Sequence, residues 1–205
     1  MYIKIKPLNP QASNDWREVK MEFLRDYRLP KGLRLEELDL SKSDDLEALA
    51  RFYCEVWKEP PWLEFHWTYD AVIKYILETS QKIASIWLLI KNQANEIVAF
   101  ALGYGIDFKD LEQIANRKDA AFYFGEKPMF YDAEVAVMPT YRKQGLATVL
   151  IRARIDFARF HDLKVVIART KAPNAIRAMT KIGFFPTTFT DGSDPERVYW
   201  RFDIS

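Results

Sequence analysis

Apolar and polar positions along the chain repeat with two different periods, and the changes of period mark out its elements. Leu33, Leu35, Leu38 and Leu40 alternate with polar residues, which predicts a strand over 33–40. Leu46, Leu49, Ala50, Tyr53, Val56 and Trp57 then recur at helical spacing, behind residues 41–45 that can cap a helix, and Pro60-Pro61 ends it. Val72, Ile73, Ile76 and Leu77 predict a second helix, from about 68–70 to 79. Residues 84–90 and 97–106 are nearly continuous apolar runs on either side of a turn at 92–96, the signature of a hairpin of buried strands. Gly103 and Gly105 in the second run point to a bulge or a close backbone approach.

The second half of the chain continues in the same way. A short helix is predicted over 111–117 and a strand over 129–138. A long helix follows over 145–160, with Leu146, Val149, Leu150, Ala153, Phe157 and Phe160 as its buried stripe. A Val- and Ile-rich strand at 164–170 leads to a helix opened by Pro173 and closed by Gly183. Residues 184–190 and 198–204 alternate as a closing antiparallel pair. This order predicts a mixed α/β (α+β) domain with helices on a central sheet. Residues 1–32 read as an extension packed on that domain, and 33–205 as one domain. In the extension Ile3 and Ile5 suggest a strand, and Trp16, Val19, Phe23 and Tyr27, behind Ser13, Asn14 and Asp15, suggest a helix.

Composition narrows the function classes. The 30 basic and 29 acidic residues leave a net charge of +1, which argues against nucleic acid or a membrane surface as a partner. The single cysteine, Cys54, excludes an internal disulfide and any cysteine-based metal motif, and no metal site is expected. The first residues lack an apolar signal core, and no run approaches the roughly 20 apolar residues of a membrane span, so a soluble, cytoplasmic protein is expected.

The chemistry concentrates where the strand at 129–138 meets the long helix. The apolar run stops at Pro139, and Tyr141, Arg142, Lys143, Gln144 and Gly145 make a basic turn before Leu146 and Ala147 open the helix. The first amides of a helix have no partner inside it, and the helix dipole adds positive charge there. The amides of Gln144, Gly145, Leu146 and Ala147 can therefore each donate to a pyrophosphate oxygen. Gly145 lets phosphate lie against the backbone, and Arg142 and Lys143 add charge. The chain has neither GxxxxGK[ST] nor GxGxxG, so this is not one of those phosphate loops.

Arg142-x-x-Gly145-x-Ala147 resembles the acetyl-CoA motif of the GCN5-related N-acetyltransferase (GNAT) superfamily. Downstream, Asn174-x-x-Arg177-Ala178 through Lys181-Ile182-Gly183-Phe184 resembles a second block of the same superfamily. The resemblance covers about 33–204 and implies a mostly antiparallel central sheet flanked by helices. It implies acetyl-CoA as acyl donor, its pantetheine arm running beside main-chain groups of Val135 and Val137. It also implies that Asn174 contacts the arm, although Asn174 reads equally well as a helix cap. Glu134 resembles the strand-borne base that deprotonates the attacking amine, with Asp132 a weaker alternative on the same face by alternation. The tyrosine that often protonates the departing thiolate falls at Met179 here; Tyr131, Tyr199 and Tyr104 are other donors by element position. The loop 57–69, rich in aromatic residues and containing Glu59, Glu64 and His66, is placed by the resemblance beside the acceptor. It also reads as a satellite cluster of the core or as the surface of a homodimer. The implied activity is transfer of an acetyl group to a primary amine, of a small molecule or of a protein or peptide, by direct attack. The alternative raised by Met179 is a non-catalytic acyl-CoA sensor.

Overall fold

The computed structural model describes Phe23, Leu24 and residues 27–205. The expected strand at Ile3 and Ile5, and Ser13 to Val19 of the expected first helix, lie outside the described residues. Strand β1 (Arg34–Glu37) leads to helices α1 (Ser43–Val56) and α2 (Tyr69–Ser80). Strands β2 (Ile86–Lys91) and β3 (Ile97–Ile106) form the hairpin, followed by α3 (Phe108–Ala115), α4 (Ala120–Phe124) and β4 (Met129–Val137). A 3-10 turn (Pro139–Tyr141) precedes α5 (Leu146–Phe160). The chain ends with β5 (Val165–Thr170), α6 (Pro173–Ile182), β6 (Phe185–Thr190) and β7 (Val198–Asp203).

Among the described residues, seven strands form one sheet in the order β1-β2-β3-β4-β5-β7-β6. Neighbours run antiparallel except β4 and β5, which are parallel. Helices cover both faces, which is why β2 and β3 read as unbroken apolar runs: residues of either parity are buried. On one face α1 and α2 pack Leu49, Tyr53, Val72 and Ile76 against Trp87, Phe100 and Leu102. On the other, α5 packs Leu150, Ile151 and Ile155 against Ile86, Leu88 and Phe130, and Phe23 and Leu24 are buried in the same cluster. Tyr27 ties that segment to α5 by donating to Asp156 over 2.6 Å.

Several details depart from the periodicity. Helix α1 starts from Lys42 with no side-chain cap, because Ser41 turns back to Asp39 instead. Asn174 does not cap α6, whose N-cap is Ala172. Leu77 is exposed, and Val149 and Phe160 are only partly buried. The place expected for Val149 and Phe160 on α5 is taken by Ile151, Arg154, Ile155 and Ala158, since a helix laid flat on a sheet buries a wider stripe than one seam. Helix α4 has too few residues to show a period.

Two features of the sheet set the geometry around β4. The β3–β4 ladder slips between Leu102 and Gly103, so Ala133 is an extra residue in β4. Gly103 is required beside this bulge, because a Cβ there would lie 2.4 Å from the Phe130 ring. The β4–β5 ladder is short: it pairs Phe130, Tyr131 and Asp132 with Val166, Ile167 and Ala168 and then stops. Beyond it the parallel strands part and leave the β5-facing edge of Ala133 to Val137 without a neighbouring strand among the described residues.

Candidate active site

The parting of β4 and β5 opens a cleft of about 1050 Å³. It is lined by β4 from Tyr131 to Val137, the turn from Arg142 to Thr148, the start of α6, and the loop after α1. The cleft thus joins segments that are far apart in the chain.

At its basic end, Gly145 to Thr148, which open α5, line the cleft. Lys143 and Gly145 both take left-handed backbone conformations, with φ of 64° and 82°. Among the described residues nothing lies within 4 Å of where a Gly145 Cβ would sit, so this turn is an open cradle that a side chain would fill. Of the turn residues expected to hold pyrophosphate, Arg142, Lys143, Gly145, Leu146 and Ala147 line the cleft; the Gln144 side chain is exposed and does not. Asn174 lines the opposite wall and accepts a hydrogen bond from Arg177. Met138 donates its N–H to Val98 over 2.8 Å on the β3 side. By antiparallel alternation, Val135 and Val137 then turn their main-chain groups toward the cleft. Arg142 fits this direction: its Nε donates to the Val137 carbonyl over 2.9 Å, and its Nη2 pairs with Glu59 at 2.5 Å. These features fit an extended acyl-thioester cofactor: unpaired strand edge for an amide-bearing arm, and a basic helix start for its pyrophosphate.

Glu134 stands at the centre. The bulge at Ala133 turns its side chain to the α1–α2 face, where Tyr53 and Tyr75 donate to Oε1 over 3.4 and 3.3 Å. Burial raises its pKa to about 7, with the Glu64 charge adding to the rise; Arg169 and the two tyrosine hydroxyls act against it. A carboxylate poised there exchanges protons readily at neutral pH. Burial also lifts both tyrosines far above their usual range, so they remain neutral donors.

Asp132 does not share that face, contrary to the alternation. The extra residue in the bulge reverses the pattern, and Asp132 points to the α5 side, where it pairs with Arg154. Arg154 is fully buried, and its Nη1 also donates to the carbonyls of Leu102 and Glu134, each over 2.6 Å. It therefore fills the hydrogen-bonding gap that the bulge opens. Burial pushes Asp132 up to about 6, opposed by Arg154.

The loop after α1 closes the other end. Trp57, Trp62 and Trp67 line the cleft and continue an aromatic array that includes Tyr53 and Tyr75. The loop is thus both a core cluster and a cleft wall. Trp67 Nε1 donates to Glu64 over 2.8 Å, and Arg197, from the turn before β7, reaches Glu64 at 3.3 Å. Of the other tyrosines considered as proton donors, Tyr131 lines the cleft, whereas Tyr104 and Tyr199 do not. Met179 is buried in the cleft wall. Tyr53, Tyr75, Arg154 and Arg197 join the site without being expected there from the sequence. Arg154 alone carries a signal, a charge four residues after Leu150 on the buried stripe.

Comparison with known proteins places the fold and the family. No curated protein sequence matches the chain significantly. Solved structures match well in fold. The polyamine N-acetyltransferase of Drosophila melanogaster superposes with a TM-score of 0.61 at 12% identity, over 84% of this chain and 100% of its own. Arylalkylamine N-acetyltransferase 2 of Aedes aegypti gives 0.58 at 17%, over 85% and 100%. A Salmonella typhimurium protein solved with its cofactor acetyl-CoA gives 0.60 at 16%, over 85% and 95%. The model of the acetyltransferase (GNAT) family matches residues 46–184, from α1 through the turn that ends α6. With that match over most of its length, the chain belongs to the GNAT acetyltransferase family.

Proposed function

We propose that this protein transfers the acetyl group of acetyl-CoA to a small primary amine by direct attack, with Glu134 as the base. The observation that carries this reading is Glu134 itself, a carboxylate of neutral pKa beside an unpaired strand edge and a basic helix start. Acetyl-CoA, when bound, supplies an activated acetyl thioester. Val135 and Val137 align its arm through main-chain hydrogen bonds, and an amide on this edge polarises the thioester carbonyl. The turn amides, Arg142 and Lys143 hold the pyrophosphate, and Asn174 borders the arm from α6. Glu134, with Tyr53 and Tyr75 fixing one oxygen, takes the proton of the attacking nitrogen. A C–N bond forms, the C–S bond breaks, and CoA departs as thiolate. Met179 supplies no proton, so the thiolate takes its proton from water or from Tyr131, the candidate donor that lines the cleft. Amine acetylation is also what the polyamine and arylalkylamine enzymes of this fold are named for.

The direct test combines binding and turnover. Gly145→Glu places a negative side chain in the open cradle at a φ that only glycine takes easily, so acetyl-CoA affinity is expected to fall by about 100-fold or more. Calorimetry with matched circular dichroism checks it. Equal affinity in the variant overturns the cradle assignment, and absence of thiol release with every amine overturns the transfer reading.

Glu59 gives a subtler expectation. Arg142 must leave Glu59 to meet pyrophosphate, and the pair is 36–40% exposed. Glu59→Gln is therefore expected to tighten acetyl-CoA binding modestly, by up to about fivefold. Weaker binding in calorimetry would show that Glu59 orients Arg142 rather than competing for it.

A further inference from the structure

We infer that the acceptor is a monoamine with a flat apolar body, and not a polyamine; the inference rests on the transferase reading above. Charge in the cleft carries the first half of the argument. Four carboxylates line it among the described residues: Glu59, Glu64, Asp132 and Glu134. Glu59 pairs with Arg142 at 2.5 Å, Glu64 with Arg197 at 3.3 Å, and Asp132 with Arg154. Glu134 makes no ion pair among the described residues and is held by two tyrosine hydroxyls. One carboxylate without a cation matches one ammonium group. A second or third ammonium would enter the acceptor end without a counter-charge, beside Arg197, and would lose its hydration there.

Shape carries the second half. The Tyr53 ring, whose hydroxyl meets Glu134, lies 5.1 Å from Trp67 and 5.7 Å from Trp57, edge to face. Trp57 meets Trp62 at 6.0 Å, and Arg197 lies over Trp62 at 5.0 Å. Trp57, Trp62 and Trp67 thus give the cleft an aromatic wall that continues from the buried Tyr53, with the Glu64–Arg197 pair against it. Such a wall matches a planar or bulky apolar group in area and ring geometry, whereas a hydrated chain of methylenes and amines leaves it wet.

Matched amines separate the two halves. Steady-state thiol release at saturating acetyl-CoA compares 2-phenylethylamine with n-butylamine, which keeps the single charge but lacks the ring. Putrescine, with its second ammonium, and spermidine test the charge. We expect kcat/KM for 2-phenylethylamine to exceed that of each of the others by at least about tenfold, a difference of about 1.4 kcal/mol. Putrescine or spermidine equal to or better than 2-phenylethylamine overturns the inference and leaves the transferase reading standing. Arg197→Gln strips Glu64 of its partner and is expected to raise the putrescine to 2-phenylethylamine ratio severalfold; an unchanged ratio counts against the charge argument. Trp62→Ala is expected to shrink the preference over n-butylamine with acetyl-CoA affinity unaltered. If no amine turns over, calorimetry of the amines against the CoA-bound protein decides. Tighter binding of 2-phenylethylamine than of putrescine then upholds the cleft's selectivity for a flat monoamine while the transfer reading falls, and failure of every amine to bind overturns both.

Discussion

Glu134→Gln is expected to lower kcat/KM for amine acetylation by about 10²–10⁴-fold, the usual contribution of a positioned general base, with acetyl-CoA affinity little changed. Glutamine keeps the volume and an oxygen for Tyr53 and Tyr75 but accepts no proton near pH 7. The pH profile sharpens the test. With the Glu134 pKa raised to about 7 by burial and by Glu64, wild-type kcat/KM rises with pH and levels off above about 7, because the working form is the carboxylate. The variant lacks that inflection. Stability moves the other way. The native state holds this proton more tightly than the unfolded chain, so the group's contribution is complete below about pH 4.5 and is lost as pH rises through 7. Glu134→Gln is therefore expected to melt above wild type at pH 8 and close to it at pH 5. An inactive but stabilised variant marks a functional carboxylate kept at a cost to stability. Full activity in the variant, with its pH inflection intact, would sink the assignment.

Arg154→Met is expected to destabilise the fold by about 3–5 kcal/mol in urea unfolding at pH 7.5, the usual cost of removing one partner from a buried pair. Arg154 is fully buried, so its loss leaves Asp132 charged and uncompensated and leaves two carbonyls at the bulge without donors. The penalty has a pH signature. Asp132 already has a pKa near 6 with Arg154 present, and it rises further without it. Protonation then relieves the unpaired charge, so the deficit shrinks as pH falls through and below that range. The double variant Asp132→Asn with Arg154→Met is expected to be more stable than Arg154→Met alone at pH 7.5, since neither position of the pair then carries a buried charge. A double variant that loses the sum of the two single losses shows that the pair is not the origin of the effect. The backbone of Glu134 is held by the same guanidinium, so kcat is expected to fall in Arg154→Met before acetyl-CoA affinity does.

The elements are largely legible from local pattern. The apolar runs of β2 and β3, the hairpin turn between them, and the Pro139-to-Gly145 break before α5 lie where the spacing puts them. Both blocks that resemble the family are contiguous, so the helix start with Arg142 and Gly145 can be read as an anion site directly. Alternation misplaces Asp132 because it assumes a regular ladder, and one extra residue at Ala133 reverses every side chain before it. Tyr53 has the pattern of ordinary core, and its hydroxyl gains a role only because α1 lies over the β4 bulge.

By itself, then, the order of residues determined most of the secondary structure, the mixed fold and the basic turn before α5, because these follow from periodicity and from groups adjacent in the chain. Only the tertiary structure decided what Glu134 can do. Its pKa depends on burial, on Glu64 seventy positions earlier and on two tyrosines from separate helices, and no local pattern encodes those distances. The same holds for the acceptor end. Which carboxylates are cancelled by arginines, and which one is left for an amine, is settled by where β4 and β5 part and by what the loop after α1 meets across the gap.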